Sequence, residues 1–410
     1  MLAAITLVVA AAPVWSAAPD VPRAVEFRDG HWFDGNGFQR GTWYAVDGVL
    51  TQRRPPRVDR VHDLDGGYVV PPLAEAHNHN LQNAWGAANF RARYVADGVQ
   101  YAAMLCGNAD DAPAARAALG ADAPIDVLRA SACISSSDGH PLAMARRNED
   151  GSLRPAADVH DHDYLVMDSV ADIERKWPLV RAARPDLVKA ILVHSEWTQR
   201  RGDERYYGLN GLKPELLAPL VARAHRDGLR VAAHVESAAD FRVAVEAGVD
   251  LIAHLPGYQL WEGQDESAYR LDDASIALAA QRRIPVVATA NAAQPAASGD
   301  TARLARVQAL QKDNLSRLIE AGVPIALGSD RFDATVGVEV DYLADLGVMS
   351  NAQLLRSAVE LTPALLFPQR KVGRLADGYE ANFLVLRDDP TRALAALKSI
   401  DLKVRRGVEY

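Results

Sequence analysis

The stretch PELLAPLVARAHRDGLRVAAHVESAADFRVAVEAGVDLIAH, from Pro214 to His254, decides the fold. Pro214–Asp227 reads as a helix, Leu229–His234 as a strand, Ser237–Ala247 as a second helix and Asp250–His254 as a second strand. Gly228 and Gly248 stand where the helices stop, because glycine accepts the left-handed conformation of a helix C-terminus. The pattern returns as the helix Thr301–Ala321, then Gly322, then the strand Pro324–Gly328. Repeated helix–strand units build a parallel sheet. A chain of 410 residues holds enough of them to close one. The expected fold is therefore α/β, with a (β/α)8 TIM barrel over residues 71–365.

Outward from this core the texture changes. Ala24–Arg28, His31–Phe33, Thr42–Ala45 and Val49–Gln52 are short strand candidates. Asp29-Gly30, Asp34-Gly35 and Asp47-Gly48 between them are hairpin signals. Strand texture resumes at Asn382–Leu386 and Leu402–Arg405. Residues 19–70 and 366–410 are expected to meet in one small β-sandwich domain made by both chain ends. Leu2–Trp15 is an apolar run followed by Ser16, Ala17 and Ala18, which reads as a signal peptide over residues 1–18 and a periplasmic or secreted protein. The run is too short to span a bilayer.

Composition narrows the function. Hydrophobic residues make up 49 % and charged residues 24 %, as in ordinary globular proteins. The net charge of −8 and the lack of a dense basic cluster exclude nucleic acid as a main partner. A small-molecule substrate is the expected partner, with a homo-oligomer open. The two cysteines, Cys106 and Cys133, lie in apolar stretches and read as small buried hydrophobes, with a single bridge between them left open after export.

Six residues carry the expected chemistry: His77, His79, Lys189, His234, His254 and Asp330. Five fall at the ends of strand candidates, where barrel active sites form, and Lys189 lies within one. His77 and His79, two apart on a strand, face the same way and can grip one ion. Imidazoles suit zinc and similar cations. Asp330 supplies a carboxylate that can touch a metal and take a proton from its water. Lysine is a poor ligand while it is an ammonium. Its reaction with CO₂ makes an anionic carbamate with two oxygens, able to bridge two ions that share a hydroxide.

Together these residues resemble the amidohydrolase superfamily, in its imidazolonepropionase-like and Xaa-Pro dipeptidase-like branch. The carrying segments are Val69–His79, Ala222–His234, Ala244–His254, Ala321–Asp330 and the tail Gly373–Pro390. The resemblance implies a metal-dependent hydrolase that cleaves a C–N bond, amide or peptide-like, with Asp330 as the catalytic base. It implies two zinc ions, one on His77, His79 and Asp330, the other on His234 and His254, bridged by carbamylated Lys189. Two features depart from the family pattern. Pro71-Pro72 replaces the usual Pro-Gly, and Glu75 the usual Asp. Glu236 keeps a second reading open, a one-metal deaminase or cyclic-amide or lactone hydrolase. A third is a barrel that binds without catalysis. His140, in the polar loop 135–141, and Tyr207, in the long loop after Lys189, are expected to contact substrate. Pro256-Gly257-Tyr258 is a further wall candidate.

Overall fold

The computed structural model describes residues 23–108, 110–130, 132–261 and 263–410; the expected signal peptide lies outside them. No helix among the described residues is long and apolar enough to cross a membrane.

β1 (Ala24–Phe33) pairs antiparallel with β2 (Phe38–Val46), and β2 with β3 (Val49–Thr51). β4 (Arg60–Asp63) and β5 (Tyr68–Val70) both run parallel to β1. The expected turn at Asp29-Gly30 is instead a bulge inside one continuous strand. Asp29 takes a φ of 56°, and a Cβ on Gly30 would meet Leu64 at 2.7 Å, so the chain kinks without reversing.

The central strands are all parallel. β6 (Leu73–Asn78), β7 (Val99–Met104) and β8 (Asp126–Arg129) form one sheet. The second sheet contains β9 (Ile134–Ser135), β10 (Leu165–Val166), β11 (Leu187–Ile191), β12 (Arg230–His234), β13 (Leu251–Ala253), β14 (Val286–Val287) and β15 (Ile325–Ala326). Its order is β10-β9-β11-β12-β13-β14-β15. The expected closed barrel is thus two parallel sheets. An isolated parallel bridge, Ala130 to Leu187, joins them on one side. On the other side the Ala76 amide donates to Leu327 O at 2.9 Å and the Asp330 amide to His77 O at 2.8 Å.

Helices cover the second sheet for reasons visible in the sequence. Pro214–Arg226 begins on proline and buries Leu216, Leu217, Leu220, Val221 and Ala224 as one stripe. Each such leucine contributes roughly 2 kcal/mol relative to exposure. Ala238–Ala247 starts with a capping box between Ser237 and Asp240 and stops at Gly248, whose φ is 75°. Asp240 also accepts from the amides of His194 (2.8 Å), Ser195 (2.7 Å) and Glu236 (3.0 Å). One buried carboxylate thereby pins the exits of β11 and β12.

The chain end adds β16 (Phe383–Leu386), β17 (Ile400–Arg405) and β18 (Val408–Glu409). β16 lies antiparallel between β5 and β17, so strands from both ends share one eight-stranded sheet that forks at β1. Phe383 packs edge-on against Phe27 and Trp32, with ring centres 4.8 and 5.3 Å apart.

Candidate metal centre

The six expected residues line one cavity of about 720 Å³ at the C-terminal ends of the parallel strands. His77 belongs to β6, and His79 follows it directly. Lys189 lies in β11, His234 ends β12, His254 follows β13 and Asp330 follows β15. Four strand exits here use the left-handed region: His194 (φ 47°), His254 (80°), Thr289 (44°) and Asp330 (47°). Such backbone costs about 1–3 kcal/mol per residue and gathers at functional sites. A Cβ on Gly328 would stand 2.6 Å from the His77 amide nitrogen. Only glycine lets the β15 exit lie so close to β6.

Asp330 is the hub. Its Oδ1 lies 3.2 Å from His79 Nε2 and 3.6 Å from His77 Nε2, and its Oδ2 lies 3.8 Å from His254 Nδ1. Ligand atoms of His77, His254 and Asp330 all fall within 4.8 Å of one another. The His77 and His254 rings are 4.5 Å apart, and those of His254 and His234 4.4 Å. His254 Nδ1 also sits 2.8 Å from Thr289 Oγ1, and His79 Nδ1 3.3 Å from Cys106 O. His234 Nε2 instead lies 3.1 Å from Glu236 Oε1.

Burial sets the charge state of this cluster. It pushes His77 and His254 well below the usual imidazole range, helped by nearby Lys189 and other imidazoles, so both rings are neutral and keep free lone pairs. It pushes the Lys189 amine down to about 7, against the pull of the Asp330 carboxylate. Lys189 Nζ and His77 Nδ1 are buried and have no hydrogen-bond partner. Burial also works to raise Glu236, but hydrogen bonds and charge from His234, and a hydrogen bond from Tyr258, hold it down at about 2. The Tyr258 hydroxyl donates to Glu236 at 2.5 Å.

The other expected residues separate. His140 lines the cavity and stacks on His234 at 5.5 Å; burial holds it at about 4. Tyr207 is not among the lining residues. It is 39 % exposed, and the Arg146 guanidinium lies over its ring at 5.9 Å. Cys106 and Cys133, read as separate apolar residues, form a disulfide with 5.2 Å between Cα atoms. Both line the cavity. Each is near a strand end, Cys106 after β7 and Cys133 before β9, and only the sheet order brings these ends together. Gln259, Trp261, Met144 and Phe332 complete walls that residue type alone does not reveal.

No family model matches the chain. Over 184 residues it is 28 % identical to the ochratoxinase of Aspergillus niger, a match covering 43 % of this chain and 36 % of that protein. The chain thus spans about a third of the length of the curated relatives it matches. Solved structures align over nearly all of it. A Xaa-Pro dipeptidase with bound methionine superposes with a TM-score of 0.76 at 18 % identity, covering 94 % of this chain and 99 % of that one. The ochratoxinase structure from A. niger gives 0.74 at 20 %, covering 95 % and 96 %. An amidohydrolase gives 0.73 at 19 %, covering 94 % and 98 %. The chain therefore has the α/β fold, with parallel sheets, that is found in the amidohydrolase, Xaa-Pro dipeptidase and ochratoxinase structures.

Proposed function

We propose that this protein is a metal-dependent amidohydrolase that cleaves an amide or peptide-like C–N bond in a small substrate. The observation that carries the reading is Asp330, within 3.2–3.8 Å of three imidazoles in a cavity that also buries a partnerless lysine amine. A cluster of imidazoles and one carboxylate is a donor set for a divalent cation, zinc above others. His77, His79 and Asp330 would hold one ion, and His234 and His254 a second, with carbamylated Lys189 between them. Such ions acidify water and polarise a carbonyl. Asp330 accepts the proton of the attacking water and returns it to the leaving amine. His140, neutral on the facing wall, donates to the carbonyl oxygen as charge develops there. Solved structures of similar fold include prolidases and ochratoxinase, which supports hydrolysis of this bond type. The two parallel sheets act in this reading as one (β/α)8 barrel joined by the bonds at Ala76, Asp330 and Ala130. The disulfide beside the site supports export to an oxidising compartment.

The His234–Glu236 contact favours a second reading, one metal with Glu236 as the proton carrier in deamination or ring opening. Metal counting separates the two. In the first, the protein holds about two ions per chain, its metal-free form regains amidase activity only with both zinc and bicarbonate, and Lys189→Ala retains about one ion with roughly 100-fold lower kcat. One ion, indifference to bicarbonate, and an active Lys189→Ala protein would establish the second. Zinc-loaded protein inert towards peptides, N-acyl amino acids, lactones and heterocycles would leave a binding barrel.

A further inference from the structure

The cavity's charges point to a substrate class. We propose that it takes an amide whose leaving amine carries no charge on an aromatic or aliphatic body, and that it disfavours the free carboxylate of a dipeptide. This rests on the hydrolase reading and refines it.

Among the described lining residues the only lysine or arginine is Lys189, on the floor with the imidazoles. The guanidinium groups of Arg200, Arg201, Arg154, Arg146 and Arg331 in the surrounding loops point to other partners, although Nε and Nη1 of Arg200 are buried without one. Arg200 is buried against the rings of Trp197, Tyr206 and Trp261, 5.1, 4.6 and 4.7 Å from their centres, and donates to Leu209 O at 3.1 Å. Trp261 lines the cavity and Arg200 does not. Arg201 donates to Asp138 at 3.0 Å and to Gly211 O at 2.7 Å. Arg154 is taken by Asp163 and by Ala145 O. Arg146 donates to Arg154 O at 2.6 Å, and Arg331 pairs with Asp333 at 3.0 Å.

A substrate carboxylate carried by the leaving amine, away from the imidazole cluster, would therefore meet no lysine or arginine among the described lining residues. It would instead face Glu236, a buried carboxylate on the cavity wall. Burying an unpaired charge is unfavourable, and a like charge nearby adds to the cost. The wall suits a neutral body. Met144, Ile191, Val193, Leu209, Trp261 and Phe332 line it. Phe332 is half-exposed, stacks on Trp85 at 6.1 Å and meets Phe90 edge-on at 5.2 Å, so an aromatic strip runs from the rim to the Asp330 side.

The test uses the zinc-reconstituted protein and two amides sharing a benzoyl group, one of 2-phenylethylamine and one of phenylalanine. The neutral amide is expected to show about tenfold higher kcat/KM; a ratio of roughly threefold or less, or a preference for the phenylalanine conjugate, overturns the proposal. A third conjugate with an ammonium in place of the carboxylate separates absence of charge from absence of negative charge, and faster turnover of it than of the neutral amide also overturns the proposal. Met144→Arg, at a position 67 % exposed, places a cation on the wall and should move the ratio roughly fivefold towards the phenylalanine conjugate; an unmoved ratio counts against the proposal. Should no conjugate be turned over, the hydrolase reading fails by itself. Calorimetric Kd values for the same pair then decide the charge preference on the same criterion.

Discussion

Two polar clusters are buried side by side where β6, β14 and β15 end, and their donors are spent differently. In one, Glu75 accepts from Ser329 Oγ (2.6 Å), the Ser329 amide (2.8 Å) and the His77 amide (3.1 Å). Glu339 likewise accepts from the amides of Ala290 and Asn291 and from Asn291 Nδ2, each at 2.8 Å. In the other, Asp330 touches three imidazoles at 3.2–3.8 Å, while Lys189 Nζ and His77 Nδ1 have no partner. The difference separates support from reactivity. Carboxylates saturated by backbone amides fix where the strand exits lie. One layer away, groups short of partners leave lone pairs for something to bind. Ser329 spans the two layers, since its hydroxyl bonds Glu75 and its successor is Asp330.

Substitutions in the two layers should fail in different ways. The largest effect belongs to Asp330→Asn, which keeps the shape and removes the proton acceptor. We expect kcat for amide hydrolysis to fall by about 10³-fold with the thermal midpoint nearly unchanged. Activity within tenfold of the parent would remove Asp330 from the proton path.

The supporting layer should answer in stability and in its pH dependence. Burial raises Glu339 to about 7 despite the hydrogen bonds it accepts from Asn291 and the Ala290 amide. A carboxyl raised in the folded state favours folding most below its unfolded value, near 4.5, and that contribution is lost as pH rises through about 7. The loss is roughly 3 kcal/mol between these limits. Glu339→Gln should flatten the urea-unfolding free energy across this window relative to the parent. Parallel pH profiles for the two proteins would show that Glu339 is ionised in both states.

The smallest effect is expected far from both layers. Asp126 on β8 takes Arg370 and Arg405, each at 2.8 Å, and ties the end sheet to the parallel strands. These side chains are about a quarter exposed, so water already screens them. Asp126→Ala should cost about 1 kcal/mol by urea unfolding and leave kcat unchanged. A loss of several kcal/mol would place a third critical polar cluster at this junction.

The unit 214–254 was legible because helix, strand and capping signals agree in it. Strand ends at His234 and near His254 could therefore be read from spacing, and with them the gathering of six chemistry-bearing residues. The bulge at Asp29-Gly30 was not legible, since the same dipeptide also makes a hairpin. Its choice depends on Leu64, distant in sequence and packed against Gly30. Tyr207 shows the limit for loops. Its place after the Lys189 strand suggests the cavity, but it is 39 % exposed and outside the described lining residues.

Local pattern alone determined which residues end strands and which carry chemistry, because period, caps and residue type act over a few positions. Only the tertiary structure decided the Cys106–Cys133 bond, the turn of His234 towards Glu236 and the withdrawal of Arg200 behind Trp261. Each of these depends on which strand and loop ends become neighbours, and that follows from sheet order and packing, which no short stretch of sequence encodes.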